Sequence, residues 1–66
     1  MDMKPEFEAL EKRAASVRKT IHELREESGI STVKLWRARN NKIGLGAQVR
    51  VLRAMEARLD ELEAGK

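Results

Sequence analysis

Sixty-six residues admit one domain at most, and a chain this short buries so little surface that it is marginal alone, a first pointer to oligomerisation. There is no Cys and only one His, which excludes disulfides, thiolate metal sites and an imidazole metal cluster. Charged residues make up 38% of the chain with a formal net charge of +3, and no apolar run approaches the ~20 residues of a membrane span.

The N-terminus is acidic and charged within its first turns, unlike a signal peptide, so a soluble cytoplasmic protein is expected. Pro5 suits the first turn of a helix, where its missing N–H costs nothing, and Glu6 and Glu8 favour the positive end of a helix dipole. Apolar residues then recur at Phe7, Leu10, Ala14, Val17, Ile21 and Leu24, with spacings of three, four, three, four and three. That seam predicts amphipathic helix up to Gly29, which serves as a left-handed stop. Two readings of this stretch compete. Thr20-Ile21-His22-Glu23 has the form of a capping box, which starts a second helix at Ile21. Against it, the seam passes through Thr20 without a phase break, and no Gly or Pro lies between Glu6 and Ser28.

Ser31 is placed to cap a helix from Thr32 to about Asn40, and Asn40-Asn41 tolerate turn conformations. Ile43-Gly44-Leu45-Gly46 reads as a loop with two apolar plugs and two flexible joints. The last helix is expected from about Ala47 to Ala64, with Val49, Leu52, Met55, Leu59 and Leu62 packing on Phe7, Leu10, Val17 and Leu24 and Gly65 closing it. No stretch alternates as a strand does, so the fold class is all-α: one small domain over residues 1–66, of three to four helices, with an extended C-terminal helix.

Charge is sorted along this chain. From Ser28 to Met55 there is no Asp or Glu, while Lys34, Arg37, Arg39, Lys42, Arg50 and Arg53 supply six positive charges. Met1–Glu27 carries six bases against seven acids, and Glu56–Lys66 two against four. A basic block between neutral or acidic flanks is suited to a polyanion, because phosphate attraction is the sequence-independent part of nucleic-acid affinity. The plainer reading is a solvated helical surface that happens to be basic. With no Gly-rich phosphate loop and no room for a sizeable pocket, enzyme chemistry, a cofactor and a small-molecule ligand are not expected.

Helix, Gly, apolar residue, Ser and short basic helix form the outline of a helix-turn-helix. Over Ile21–Met55, about half the chain, the sequence resembles the lambda-repressor/Cro-like (Xre-like) helix-turn-helix family of small phage, plasmid and antitoxin-type regulators. Gly29 stands where that motif has its turn glycine, and Ile30, Leu35 and Ala38 stand at three of its buried apolar positions. Two positions depart from it: Arg25 replaces a small residue and Ser28 an apolar one. The resemblance favours two helices before Gly29, with a joint near Arg18–Thr20.

It also implies a cytoplasmic regulator, in a prokaryotic or phage-infected cell, that binds double-stranded DNA through helix 32–40 in the major groove. A homodimer on an inverted repeat would set two such helices about 34 Å apart. The base-facing candidates are then Thr32, Val33, Trp36, Arg37 and Asn40. Arg37 is suited either to guanine or to phosphate, and Asn40 either to adenine or to capping its own helix. Trp36 either points outward, to the sugar-phosphate backbone or an interface, or closes the small core. The phosphate candidates are Ser31, Lys34, Arg39, Lys42, Arg50 and Arg53, and Leu59 and Leu62 are the dimerisation candidates. His22 is expected to have no chemical role. The alternatives are a helical protein–protein adaptor, supported by the long seam from Phe7 to Leu24, and a nonspecific nucleic-acid-binding module.

Overall fold

The computed structural model describes residues 2–65. They form four helices in chain order: α1 (Lys4–Ser16), α2 (Ile21–Glu27), α3 (Thr32–Arg39) and α4 (Leu45–Ala64). The all-α class and the long C-terminal helix are as the sequence predicts. α4 packs on each of the other three helices, and α2 packs between α1 and α3.

The long N-terminal seam is two helices. α1 ends at Ser16, and Arg18 takes a left-handed φ of 62°. The Lys19 N–H then donates to the Ala14 carbonyl at 2.9 Å, and the Arg18 N–H to Ala15 at 3.0 Å. This paired closure is a Schellman stop. α2 opens at once on its capping box: the Glu23 N–H donates to Thr20 Oγ1 at 3.1 Å, and the Thr20 N–H donates to the Glu23 carboxylate at 3.0 Å. The local cap therefore prevails over the continuous apolar phase.

The core comprises Met3, Phe7, Leu10 and Ala14 from the first helix and its lead-in, Ile21 and Leu24 from α2, Ile30 from the turn, Leu35 and Ala38 from α3, and Val51, Leu52, Met55 and Leu59 from α4. Met3 extends the expected seam one turn upstream, whereas Val17 is only half-buried against it.

Three expectations for the C-terminal half need correction. α4 starts at Leu45, two residues early, because Gly44 takes the extended cap conformation and turns the chain by itself. Ile43 is the apolar plug of this connection, while Leu45 is exposed on the first turn of α4. Val51 is buried in place of Val49, which is half-buried, and Gln48 occupies the core at 3% exposure. The Gln48 amide Nε2 donates to the Ile43 carbonyl at 2.9 Å and to Asn41 Oδ1 at 3.3 Å, tying α4 to the connection before it.

Leu59 and Leu62 were expected at a dimer contact. Leu59 is fully buried within the chain's own core, and Leu62 is half-buried against it. Their charged neighbours are also engaged inside the molecule. Arg13 of α1 reaches Glu63 at 2.7 Å and Asp60 at 3.0 Å, and Arg58 reaches Glu27 of α2 at 2.8 Å and Glu61 at 3.0 Å.

Candidate nucleic-acid interface

The site is built on α2, a short turn and α3. α2 ends in a second Schellman stop, with Gly29 at φ 74°, the Ile30 N–H donating to Arg25 at 2.8 Å and the Gly29 N–H to Glu26 at 3.1 Å. Arg25 then grips the same residue again, because its Nη1 donates to the Ile30 carbonyl at 3.1 Å. Both backbone groups of Ile30 are thus held by one residue, and the Ile30 side chain is set between the helices as the buried plug. This is the purpose the long side chain at position 25 serves where a small residue was the pattern. Ser28, in place of an apolar residue, turns its hydroxyl inward to the Leu24 carbonyl at 2.8 Å.

Ser31 caps α3 as predicted, its hydroxyl accepting from the Lys34 N–H at 3.1 Å. Leu35 and Ala38 are buried and fix the rotation of α3 about its axis. The consequence is an outward face of Ser31, Thr32, Val33, Lys34, Trp36, Arg37 and Asn40, all exposed. Trp36 and Val33 are each 56% exposed, which rules out the core reading of Trp36. Asn40 donates its Nδ2 to the Trp36 carbonyl at 2.8 Å. Its amide therefore closes the C-terminus of α3, the second of its two readings.

The six cations of the acid-free block differ in their surroundings. Arg39 lies 3.7 Å from Glu11 of α1. Lys34, Arg37, Lys42, Arg50 and Arg53 are exposed and, among the described residues, make no ion pair. Glu56, the acid that follows Arg53 on α4, faces Arg13 at 3.9 Å instead. Elsewhere several opposite charges are matched. The Glu27 carboxyl is held below its ordinary value by hydrogen bonds from Lys19 and Arg58, both at 2.8 Å, and the same bonds raise Lys19 and Arg58.

Charge along α4 also runs against the helix dipole. Glu61 and Glu63 lie in its last turn, where the dipole disfavours carboxylates, while Arg50 and Arg53 lie in its first half beyond the first turn. The arrangement gives up some helix stability and adds positive potential beside α3, with which the N-terminal half of α4 is connected through Asn41 and Gln48.

Two residues come to this site that were not among the site candidates: Lys4, which was not singled out, and His22, which was expected to have no chemical role. A groove of about 260 Å³ beside α3 is lined by Lys4 of α1, His22 of α2, and Thr32, Trp36 and Arg39 of α3, among others, and by no carboxylate. Both had a legible signal. The capping box fixes the start of α2 and so puts His22 on its first, outward turn. Met3, one period upstream of Phe7, docks the chain just before Lys4. The docking is reinforced by Asp2, whose carboxylate accepts from the Lys4 N–H at 2.9 Å and from Asn41 Nδ2 at 3.1 Å. Those two bonds hold the Asp2 carboxyl below its ordinary value. Comparison with protein-family models, with curated proteins and with solved structures finds no match to this chain.

Proposed function

We propose that the chain is a sequence-specific double-stranded-DNA-binding regulator, a repressor of the helix-turn-helix kind, that lays α3 in the major groove. The observation carrying this reading is the face of α3: a capped, rotationally fixed helix whose exposed residues combine unpaired cations with apolar contact groups, within a block that contains no Asp or Glu. Arg37 is the base-reading residue, through paired N–H bonds to guanine O6 and N7, and exposed Val33 is suited to a thymine methyl. Lys34, Lys42, Arg50 and Arg53 are phosphate contacts that supply affinity and salt dependence.

The break between α1 and α2 supports this reading over the adaptor, whose basis was one long helix across that point. A homodimer on an inverted repeat belongs to the same proposal. Of the expected contact residues, Leu59 is consumed by the core and Leu62 is half-buried against it. Outside α3, Leu45 is the large apolar side chain left exposed among the described residues.

Selection of bound duplexes from a random pool, followed by anisotropy at several salt concentrations, tests the proposal. Enrichment of a short inverted repeat is expected. Arg37→Ala should weaken the selected duplex by about 1–3 kcal/mol, and a scrambled duplex by much less. Steep salt dependence with no enriched sequence would leave a nonspecific binder. Absence of binding at low salt would overturn the DNA reading.

A further inference from the structure

We infer that the groove between Lys4, His22 and Arg39 is a seat for one backbone phosphodiester of the DNA strand bordering the groove that α3 enters, with the Trp36 ring laid against the adjoining deoxyribose; the inference rests on the DNA-binding reading above. Four observations converge on it. Three separate helices each bring a donor with cationic or imidazole chemistry to one concavity, Lys4 from α1, His22 from α2 and Arg39 from α3. The Thr32 hydroxyl, in the first turn of α3, lines the same space. No carboxylate lines it, although acids are plentiful on α1 and α2. Trp36 borders the groove with over half its surface exposed, beside Leu35, which is buried.

The chemistry matches a phosphodiester. Lys and Arg donate to anionic oxygen, and an imidazole carries an N–H donor in either of its protonation states. At about 260 Å³ the space suits a phosphate with part of its sugar, and it shares Thr32 and Trp36 with the outward face of α3. Two carboxylates border the groove without lining it: Glu11, 3.7 Å from Arg39, and Asp2, bonded to the backbone N–H of Lys4. Glu11 holds part of the Arg39 charge in reserve, so the seat carries its own competitor.

The chain has one Trp and no Tyr, so its indole emission reports Trp36 alone. The experiment is a fluorescence titration with the selected duplex at several salt concentrations, repeated with orthophosphate and with a nucleoside monophosphate. Duplex should change the Trp36 emission, while the two small anions should not at matched phosphate concentration. Lys4→Gln removes one phosphate contact. It should weaken binding about fivefold at 0.15 M salt and reduce the salt slope by about one. Glu11→Gln should strengthen binding, by up to about fivefold on the same arithmetic. A single neutral methylphosphonate at the seated position should abolish the effect of Lys4→Gln, and at other positions should leave it intact.

A duplex that binds with unchanged affinity and slope after both substitutions, or with unchanged Trp36 emission, overturns the seat and leaves the DNA reading standing. Trp36 responding equally to the small anions overturns the assignment to the DNA backbone in favour of a free-phosphate site. A duplex that does not bind removes the DNA reading itself, and the seat with it. Both substituted residues are exposed, and circular dichroism of the variants separates a binding loss from a folding loss.

Discussion

Three residues with left-handed backbone close three helices, and they are chemically unlike: Arg18, Gly29 and Asn41. Gly29 takes φ 74° at no steric cost, and a Cβ built there would meet nothing within 4 Å. Gly29→Ala therefore isolates the backbone penalty, and a loss of about 1–2 kcal/mol in urea unfolding is expected. Arg18 carries that penalty already, and its side chain makes no ion pair among the described residues. Arg18→Gly should accordingly gain up to about 1 kcal/mol in the same measurement. A gain at Gly29 or a loss at Arg18 would contradict this account of the turns. The two sites also show what a sequence discloses. A glycine after an apolar seam is a visible stop. An arginine in the same conformation leaves no compositional trace, and the joint was signalled only by the capping box beyond it and by the helix-turn-helix resemblance.

At the level of the helix, starts marked by a capping hydroxyl were easier to read than the start of α4, where Gly44 offers no side chain, or its face. Thr20 and Ser31 each cap as their types predict, because a hydroxyl at that position satisfies an otherwise orphaned N–H. Thr20→Ala removes the bond that the Glu23 N–H donates to the hydroxyl, leaving the one from the residue-20 backbone N–H to the Glu23 carboxylate, and should cost about 1 kcal/mol in thermal or chemical unfolding, with α2 exchanging its amide protons faster. The face of α4 was harder, because apolar residues occur there in two overlapping phases. At 3.6 residues per turn, Gln48, Leu52, Met55 and Leu59 fall within about 60° of one another, and Val49 lies about 60° beyond Leu52. Packing on three neighbouring helices selects the sector centred on the first set, and Gln48 is drawn into it. A glutamine in that sector is tolerated because Ile43 and Asn41 accept its amide hydrogens. Neither acceptor is recognisable before the chain folds. The face of α3 was legible only in part: Leu35 and Ala38 mark its inward side, but Val33 and Trp36 form a second apolar set, which left Trp36 open between core and surface. Asn40 was ambiguous because base reading and capping ask for the same amide.

Across the whole molecule, ion pairs join helices that are distant in sequence. Glu27 on α2 is shared by Lys19 in the joint and Arg58 on α4, while Arg13 on α1 holds the end of α4. The Glu27 carboxyl is lowered from its ordinary 4.5 by those hydrogen bonds, so between the folded and unfolded values the unfolded chain binds more protons. Its contribution is therefore complete above about pH 4.5 and disappears as the pH falls through the lowered value. Urea midpoints taken from neutral to acid pH should decline over that window, and Glu27→Gln should flatten the decline while lowering the neutral plateau. An equal decline in the variant would assign the acid sensitivity to other carboxyls. These long-range pairs could not be read from the sequence, since each joins residues that only the packed helices bring together.

The charge order of α4 has a further consequence, apart from any contact. That helix spans about 30 Å of a molecule whose longest extent is 34 Å, with cations in one half and carboxylates towards the other end. Because Asp60, Glu61 and Glu63 are paired with Arg13 and Arg58 while Arg50 and Arg53 are unpaired among the described residues, α4 carries its uncompensated positive charge in one half, in a chain of net charge +3. Near an extended polyanion, the field exerts a torque as well as a pull. It turns the cationic end inward within about a Debye length, ~8 Å at physiological salt. The surface that includes Arg50 and Arg53 is then presented before collision, and fewer encounters are wasted on the acidic end. Added salt should remove that alignment first, and so slow arrival more than it hastens departure.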